Sequence, residues 1–162
     1  MTQTMRYIQV REEVCSGCRA CEIACVVHHE GRFGTSAARL RVLKIEAEGL
    51  DQPQVCRLCR RPPCVDACSS QALYRDEGLG VVLLRPGECD GCAECVDACP
   101  FGVVVLHPET GLPLICDLCG GEPACVVRCA TGAISYGHEA AVSPGKQHDR
   151  SIEPDGAGKE AA

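Results

Sequence analysis

Short apolar runs separated by cysteine-rich segments dominate the hydrophobic pattern of the chain. Strand-like runs precede three of these segments, at residues 7–10, 81–84 and 112–115. Further apolar runs follow them after turns of small residues, at 73–74, 103–105 and 133–136. A short helical turn is predicted just before the last cysteine of each segment. The pattern therefore predicts an α+β protein built from a repeated unit of strand, loop, short helix and strand.

One part of the chain departs from this repeat. After Cys25 the sequence continues Val-Val-His-His-Glu-Gly, without a proline or a turn of small residues, so the helix is predicted to continue. We interpret residues 26–54 as an insertion. Within it, residues 39–46 (RLRVLKIE) alternate partly between apolar and polar positions and predict an added strand. This strand is expected to pack over the domain or against a partner.

The last segment has a different composition. Residues 137–162 contain Pro, Gly, Lys, Glu and Asp with almost no large apolar side chains. Such a segment cannot bury enough surface to fold alone, which predicts a flexible, disordered tail. The alternative is an arm that becomes ordered on a partner subunit. One folded domain is therefore expected over residues 1–136.

The cysteine content changes this picture most. The 162-residue chain contains 16 cysteines but no tryptophan, two phenylalanines and three tyrosines. A domain of this size normally fills its core with large side chains, so something else is expected to fill this one. Metal groups bound to cysteine would occupy the interior and cross-link the chain. Because metal binding would then supply folding energy, the metal-free chain is expected to be largely unfolded.

The cysteines form four groups of four, and none is left over. The first and third groups have the spacing C-x2-C-x2-C-x3-C, and Pro100 follows the third. The second and fourth groups have a longer middle spacer. In chain order, the groups are Cys15, Cys18, Cys21 and Cys25; Cys56, Cys59, Cys64 and Cys68; Cys89, Cys92, Cys95 and Cys99; and Cys116, Cys119, Cys125 and Cys129.

This spacing has a physical reason. Three cysteines in one loop can hold three corners of a [4Fe–4S] cubane, while backbone N–H groups point toward the sulfur atoms. The fourth cysteine faces away and binds the neighbouring cluster, as in two-cluster bacterial ferredoxins. Four groups therefore predict four [4Fe–4S] clusters, with all sixteen cysteines as iron ligands. Spacing alone permits two pairings of the groups. Either group one pairs with group four and group two with group three, or group one pairs with group two and group three with group four.

Other interpretations of the cysteines are weaker. Structural zinc sites use two cysteine pairs with a longer spacer, which only the fourth group resembles. Disulfide scaffolds belong to secreted proteins, which carry a secretory signal. The first fifteen residues contain no apolar signal region, and the sequence contains no twin-arginine signal. A cytoplasmic location is therefore expected. A structural protein that uses metal only as a staple is the alternative from another class of function.

Charge and motifs argue against further classes. The formal net charge is −6, and the clusters would add about −8. We therefore expect no nucleic-acid partner, and no segment approaches the ~20 apolar residues of a membrane span. No phosphate loop, dinucleotide fingerprint or nucleophile–base pair is present, so a non-catalytic chain is expected. One of the histidines could bind or tune a cluster, but surface or capping roles are favoured for His28, His29, His107, His138 and His148.

With the groups in this order, residues 6–136 resemble the electron-transfer subunits of molybdenum and tungsten enzymes, such as the small subunits of dimethyl sulfoxide reductase and formate dehydrogenase. The compact fourth group, CDLCGGEPACVVRCATGAI, looks most like the iron–sulfur subunit of tungsten aldehyde oxidoreductases. Similar subunits serve hydrogenases, carbon monoxide dehydrogenases and benzoyl-CoA reductases. The resemblance implies a duplicated bacterial ferredoxin-like fold with two pseudo-symmetric dicluster modules. Val26, Ser69 and Ala130 stand where ferredoxins often have proline.

The resemblance also implies a ligand set for each cluster, because groups one and four share two clusters in this family, as do groups two and three. The implied sets are Cys15, Cys18, Cys21 and Cys129; Cys116, Cys119, Cys125 and Cys25; Cys56, Cys59, Cys64 and Cys99; and Cys89, Cys92, Cys95 and Cys68.

The function that the resemblance implies is a relay of single electrons through four clusters in a row. One end of the row would contact a catalytic subunit, expected to carry tungsten-pterin. The other end would meet a flavin or NAD subunit, a soluble carrier, or another copy of the chain. Head-to-tail contact between copies would give a wire or filament.

Overall fold

The computed structural model describes residues 7–137, so the predicted tail lies outside the described residues apart from Gly137. The strands are β1 (Tyr7–Val10), β2 (Arg41–Ile45), β3 (Leu50–Gln54), β4 (Leu73–Arg75), β5 (Val82–Leu84), β6 (Val105–Leu106), β7 (Pro113–Leu114) and β8 (Ile134–Gly137). The helices are α1 (Ala20–Glu30), α2 (Pro63–Asp66), α3 (Glu94–Asp97) and α4 (Ala124–Arg128). In this part of the chain, no helix is both long and apolar enough to span a bilayer.

The strands pair as antiparallel two-stranded sheets: β1 with β8, β2 with β3, β4 with β5, and β6 with β7. Three of these sheets join strands that are neighbours in the sequence. The fourth joins the two ends of the described chain, with Tyr7 opposite Gly137 and Val10 opposite Ile134. The backbone N–H of Arg11 extends this pairing by donating to the Ala133 carbonyl oxygen at 2.8 Å. The first and last segments are therefore held together by backbone hydrogen bonds.

The helices contact each other in two pairs, α1 with α4 and α2 with α3. Each helix belongs to one cysteine group, in chain order. The contacts therefore bring the first group to the fourth and the second group to the third.

Two predictions for the first group and the segment after it are confirmed. Helix α1 continues past Cys25 to Glu30 and ends at Gly31, which has a φ of +65° and donates its N–H to the Val27 carbonyl at 3.0 Å. The predicted added strand is β2. Its partner β3 was not predicted, because its sequence Leu-Asp-Gln-Pro-Gln lacks apolar alternation and contains a proline. Strands β5 and β7 are shorter than predicted.

The β2–β3 hairpin is fixed to α1 by a buried carboxylate. Glu22 on α1 is only 2 % exposed, and its Oε1 accepts the backbone N–H of Val42 at 2.6 Å. The guanidinium of Arg41 donates to carbonyl oxygens of the preceding loop, including that of Ala38 at 2.6 Å. A charged acceptor on a buried N–H makes a strong hydrogen bond. The hairpin is therefore packed on the helix of the first cysteine group.

The buried side chains are aliphatic and small, and they form two apolar clusters. The first contains Ile8, Val26, Leu40, Leu118 and Ile134 among others, and it lies between the first and fourth groups. The second lies between the second and third groups and contains Leu73, Val82, Val104 and Ile115. Cysteines complete both clusters.

The loop between β6 and β7 contacts the end of α1. His107 is buried there, and its Nδ1 accepts the backbone N–H groups of Glu109 and Thr110 at 3.1 and 3.2 Å. This agrees with a capping role for His107. Its Nε2 lies 3.6 Å from Oε2 of Glu30, and Arg32 pairs with Glu109 at 2.6 Å. These contacts connect the first group to the segment after the third.

We expect Gly17→Ala to lower the thermal stability of the cluster-loaded protein more than Gly91→Ala. Both glycines follow the first cysteine of their loop by two residues and have positive φ, +65° and +75°. A Cβ at Gly17 would also overlap the Asp51 carboxylate of β3, whereas a Cβ at Gly91 meets nothing within 4 Å. Left-handed strain costs about 1–2 kcal/mol in both variants. The overlap adds a further loss in G17A alone.

The measurement is Tm at one scan rate for both variants. Equal decreases in Tm would contradict the close approach of the first cysteine loop to β3.

Candidate metal centres

The four cysteine loops share one backbone feature. The second residue after the first cysteine has a left-handed conformation in every loop: Gly17 (φ +65°), Leu58 (φ +48°), Gly91 (φ +75°) and Leu118 (φ +56°). This conformation is uncommon for leucine, so the loop geometry itself requires it. It turns the backbone so that the N–H groups of Leu58 and Leu118 donate to the sulfurs of Cys56 and Cys116. The loops are therefore structural repeats.

The third cysteine of each group has an equally regular position. Cys21, Cys64, Cys95 and Cys125 are each the second residue of their helix, and all four are buried. The fourth cysteine follows one turn later, inside α1 for Cys25 and just beyond the helix in the other groups. Each group therefore has its third and fourth cysteines four residues apart, and their sulfurs belong to two different sets.

Three cavities are each lined by four cysteines, three from one loop and one from another. We name them site 1, site 2 and site 4. Their cysteines are Cys15, Cys18, Cys21 and Cys129 at site 1; Cys25, Cys116, Cys119 and Cys125 at site 2; and Cys68, Cys89, Cys92 and Cys95 at site 4.

The remaining four cysteines, Cys56, Cys59, Cys64 and Cys99, form site 3. Burial raises the pKa of Cys56, and the neighbouring sulfurs of Cys59 and Cys99 raise it further. Burial raises the pKa of Cys64 to about 11, with contributions from the sulfurs of Cys56 and Cys99. Cys59 and Cys99 are thus electrostatic neighbours of Cys56, and Cys56 and Cys99 are neighbours of Cys64. The structure brings twelve of the sixteen sequence-predicted residues into three sets of four, and the remaining four form a group of electrostatic neighbours.

Several thiols in these sites are strongly biased toward the neutral form. Burial raises the pKa of Cys21 and of Cys125 to about 12, and it raises the pKa of Cys116 still more. A buried thiolate without a counter-charge is costly. Iron supplies that positive charge, and thiolates are the ligands that iron–sulfur clusters take. The donor set therefore fits iron–sulfur clusters.

Two of the fourth cysteines have hydroxyl neighbours. The Sγ of Cys68 lies 3.6 Å from Oγ of Ser70, and the Sγ of Cys129 lies 3.7 Å from Oγ1 of Thr131. Burial opposes ionisation of both thiols, but the hydroxyls and nearby backbone N–H groups lower each pKa below its ordinary value. Ser70 and Thr131 occupy the same position, two residues after the cysteine. This spacing was a sequence signal that the analysis of the proline positions missed.

Three pairs of sites are neighbours. The sulfur of Cys21 at site 1 contributes to the raised pKa of Cys125 at site 2, after burial and nearer sulfurs. In the same way, the sulfur of Cys56 at site 3 acts on Cys116 at site 2. Sites 3 and 4 are linked by the short segment from Cys64, in α2, to Cys68, two residues beyond the end of that helix. The neighbouring pairs 1–2, 2–3 and 3–4 are consistent with a row that runs from site 1 to site 4.

Exposure differs between the ends and the middle of this row. Cys18 at site 1 and Cys92 at site 4 are exposed, whereas sites 2 and 3 contain no exposed cysteine. The ends of the row are therefore the parts most accessible to another redox group.

Site 2 has polar neighbours that sequence analysis did not identify. Asp117 pairs with Nη1 of Arg39 at 2.6 Å and lies 3.4 Å from Nε2 of His29. Its Oδ1 also accepts the backbone N–H of Cys119 at 2.9 Å. Burial raises the pKa of Asp117, but Arg39 and this N–H outweigh burial, so the pKa lies below its ordinary value.

The surface or capping role predicted for His29 is therefore wrong. Its Nε2 is 3.9 Å from the Sγ of Cys119, and its side chain lines the site 2 cavity. Burial, and then the charge of Arg39, lower its pKa. The usable signal was spacing: His29 follows Cys25 by four residues, so both lie on one face of α1.

The amino-acid sequence and three-dimensional structure are similar to those of known proteins. The family model "4Fe-4S dicluster domain" matches residues 48–139. The polyferredoxin-like subunit of an aliphatic sulfonate oxidoreductase from Pyrococcus furiosus is 40% identical, over 83% of this chain and 75% of that protein. The thiosulfate reductase electron transfer subunit PhsB from Salmonella typhi is 36% identical, over 83% and 77%.

Among solved structures, the active site complex BamBC of benzoyl coenzyme A reductase contains a similar chain. The TM-score is 0.48 at 26% sequence identity, covering 82% of this chain and 76% of that one. The matched family, the relatives and the sixteen cysteines agree on the cofactors, which are four [4Fe–4S] clusters. The chain belongs to the 4Fe–4S dicluster domain family and is a non-catalytic, iron–sulfur electron-transfer subunit of an oxidoreductase complex.

Proposed function

We propose that the chain relays single electrons along sites 1 to 4, with each [4Fe–4S] cluster bound by the four cysteines of one site. The supporting observation is that three cavities are each lined by three cysteines of one loop and one of another, while the remaining four cysteines are electrostatic neighbours. When bound, a [4Fe–4S] cluster supplies one-electron redox chemistry. The chain holds the four sites in a row and keeps the middle two away from solvent.

The backbone of the chain also adjusts each site. The N–H groups of Leu58 and Leu118 donate to cysteine sulfurs in their loops. Hydrogen bonds to sulfur and low exposure are two of the factors that set the potential of an iron–sulfur cluster. The left-handed residues in the loops therefore serve function as well as shape.

We also propose a duplicated fold. One ferredoxin-like module contains sites 1 and 2 and is formed by the first and fourth groups. The other contains sites 3 and 4 and is formed by the second and third groups. The paired helices α1–α4 and α2–α3 support this division. In this proposal residues 1–136 form the four-cluster domain, and residues 26–54 are an insertion that carries the β2–β3 hairpin.

The catalytic partner is proposed to be a tungsten-pterin aldehyde oxidoreductase subunit. The compact fourth group supports this, as does the similarity to a polyferredoxin-like subunit of another oxidoreductase. A second candidate is a reductase of sulfur oxyanions, favoured by the similarity to a thiosulfate reductase subunit. The end of the row away from the catalytic subunit would meet a flavin or NAD subunit, a soluble carrier or another copy of the chain.

The test is anaerobic purification of the native complex, followed by metal and flavin analysis and native mass measurement. We expect about sixteen iron atoms per chain, four for each [4Fe–4S] cluster, with tungsten in the catalytic subunit. Zinc in place of iron would contradict electron transfer. Molybdenum without tungsten would favour the second candidate. A fixed small assembly would exclude the filament, whereas a size distribution that grows with concentration would support it.

A further inference from the structure

Arg39 occupies an unusual position for a residue of the inserted segment. It lines the site 2 cavity together with Cys25, Cys116, Cys119 and Cys125. Its backbone N–H donates to the Sγ of Cys25 at 3.3 Å. The segment that follows α1 therefore reaches back over the helix and contacts one of the four sulfurs directly.

The guanidinium of Arg39 has one donor unaccounted for. Nη1 pairs with the Asp117 carboxylate at 2.6 Å, but Nε is buried and has no hydrogen-bond partner among the described residues. A buried N–H without an acceptor costs about 1–3 kcal/mol, so an acceptor is expected from the group that fills the cavity. The sulfur atoms of an iron–sulfur cluster are such acceptors.

The charges around Arg39 are balanced in the protein. Asp117 pairs with Arg39 at 2.6 Å, and Nε2 of His29 lies 3.4 Å from the same carboxylate. One cation therefore faces one anion at the edge of site 2. Reduction adds a negative charge to a cluster, so a nearby cation favours the reduced form and a nearby anion disfavours it.

We propose that Arg39 is a positioning residue that raises the reduction potential at site 2, through its Nε–H and through a charge that Asp117 balances. This inference rests on the proposed ligand set of site 2. It assigns a redox role to the inserted segment, which also contacts the rest of the domain through the Val42–Glu22 hydrogen bond and the Arg32–Glu109 pair.

The test is a redox titration of the cluster-loaded protein followed by electron paramagnetic resonance, which gives a midpoint potential for each cluster. In Arg39→Gln, the donor and the cation are lost and Asp117 is unbalanced. We expect the equilibrium constant for reducing one cluster to fall about tenfold, which for one electron is about 59 mV. Arg39→Lys keeps the cation without the Nε donor and should give a smaller fall.

Asp117→Asn is the opposing variant. The amide oxygen can still accept the Cys119 N–H, but the charge of Arg39 is no longer balanced, so the same potential should rise. A purely structural role would shift the potential in one direction in both variants. The matched control is Arg32→Gln, which removes another arginine of the same segment from an exposed pair with Glu109. Its potentials should equal those of the wild type.

The outcomes separate this inference from the proposed function. If all four clusters are bound and R39Q leaves every potential unchanged, or R39Q and D117N shift in the same direction, the inference is overturned. If R39Q binds less iron than the wild type, the potentials of R39K and D117N are compared instead. No shift in R39K, or shifts of R39K and D117N in the same direction, would overturn the inference. Fewer than four clusters in the wild-type protein would instead contradict the proposed function, since that result does not involve Arg39.

Discussion

Removal of iron from the reduced protein is expected to abolish its folded structure. The largest fully buried side chains are only Leu118, Val26 and Val81, and cysteines form part of both apolar clusters. The described strands contain at most five residues, and each pairs with one other strand. Isolated two-stranded sheets are marginally stable in water. The clusters therefore supply cross-links that take the place of a large hydrophobic core.

The measurement is circular dichroism and hydrogen exchange after anaerobic chelation, with a phosphine present to keep the thiols reduced. We expect loss of the cooperative thermal transition and exchange of nearly all amides within minutes. Return of the transition after addition of iron and sulfide is the control that the chain itself is undamaged. A cooperative, native-like melt of the iron-free protein would show that the fold does not depend on the clusters.

Replacement of Cys116 by alanine is expected to divide the row of sites. Cys116 belongs to site 2, and the sulfur of Cys56 at site 3 contributes to its raised pKa, so it lies where the two proposed modules meet. The variant should bind about twelve iron atoms in place of about sixteen. The site 1 cluster would then be separated from those at sites 3 and 4. The matched control is Cys92→Ala, which removes the cluster at the exposed end and leaves three adjacent sites.

The measurement uses the complex with the proposed aldehyde oxidoreductase partner and acetaldehyde as electron donor. Each sample is frozen within seconds of mixing, and the reduced clusters in it are counted. In C116A, only the clusters on the catalytic side of the gap should be reduced: one if that subunit docks at site 1, two if it docks at site 4. The same count identifies the docking end. Reduction of all three remaining clusters at the wild-type rate would contradict the proposed order of the sites.

The cysteine loops and short elements were largely predictable because their determinants are local. Spacing between neighbouring cysteines sets each loop, and the small-residue turns mark where each strand begins. The extension of α1 to Glu30 was predicted for the same reason, since the segment after Cys25 lacks a stop signal. Strand β3 was missed because it is specified by pairing with β2 and not by its own pattern.

The neighbours of site 2 could not be predicted because they come from three separated parts of the chain. His29 lies on α1, Arg39 in the segment before β2, and Asp117 in the fourth cysteine loop. Neither His29 nor Arg39 belongs to a motif, and their contact with Asp117 depends on the way the β2–β3 hairpin packs on α1. Glu22, which fixes that packing, lies between two cysteines of the first group. An acidic residue at such a position does not by itself predict a contact with a distant strand.

The pairing of β1 with β8 has a consequence for synthesis on the ribosome. The chain must be complete to Gly137 before Tyr7 finds its partner, and α1 meets α4 only then. The contacts between α2 and α3 join residues about thirty apart and can form much earlier. Closing the larger loop has the higher entropic cost, so the inner helix pair is expected to form first. The nascent amino-terminal cysteines would meanwhile stay exposed, and iron delivery to them is most productive after the carboxyl-terminal group has emerged.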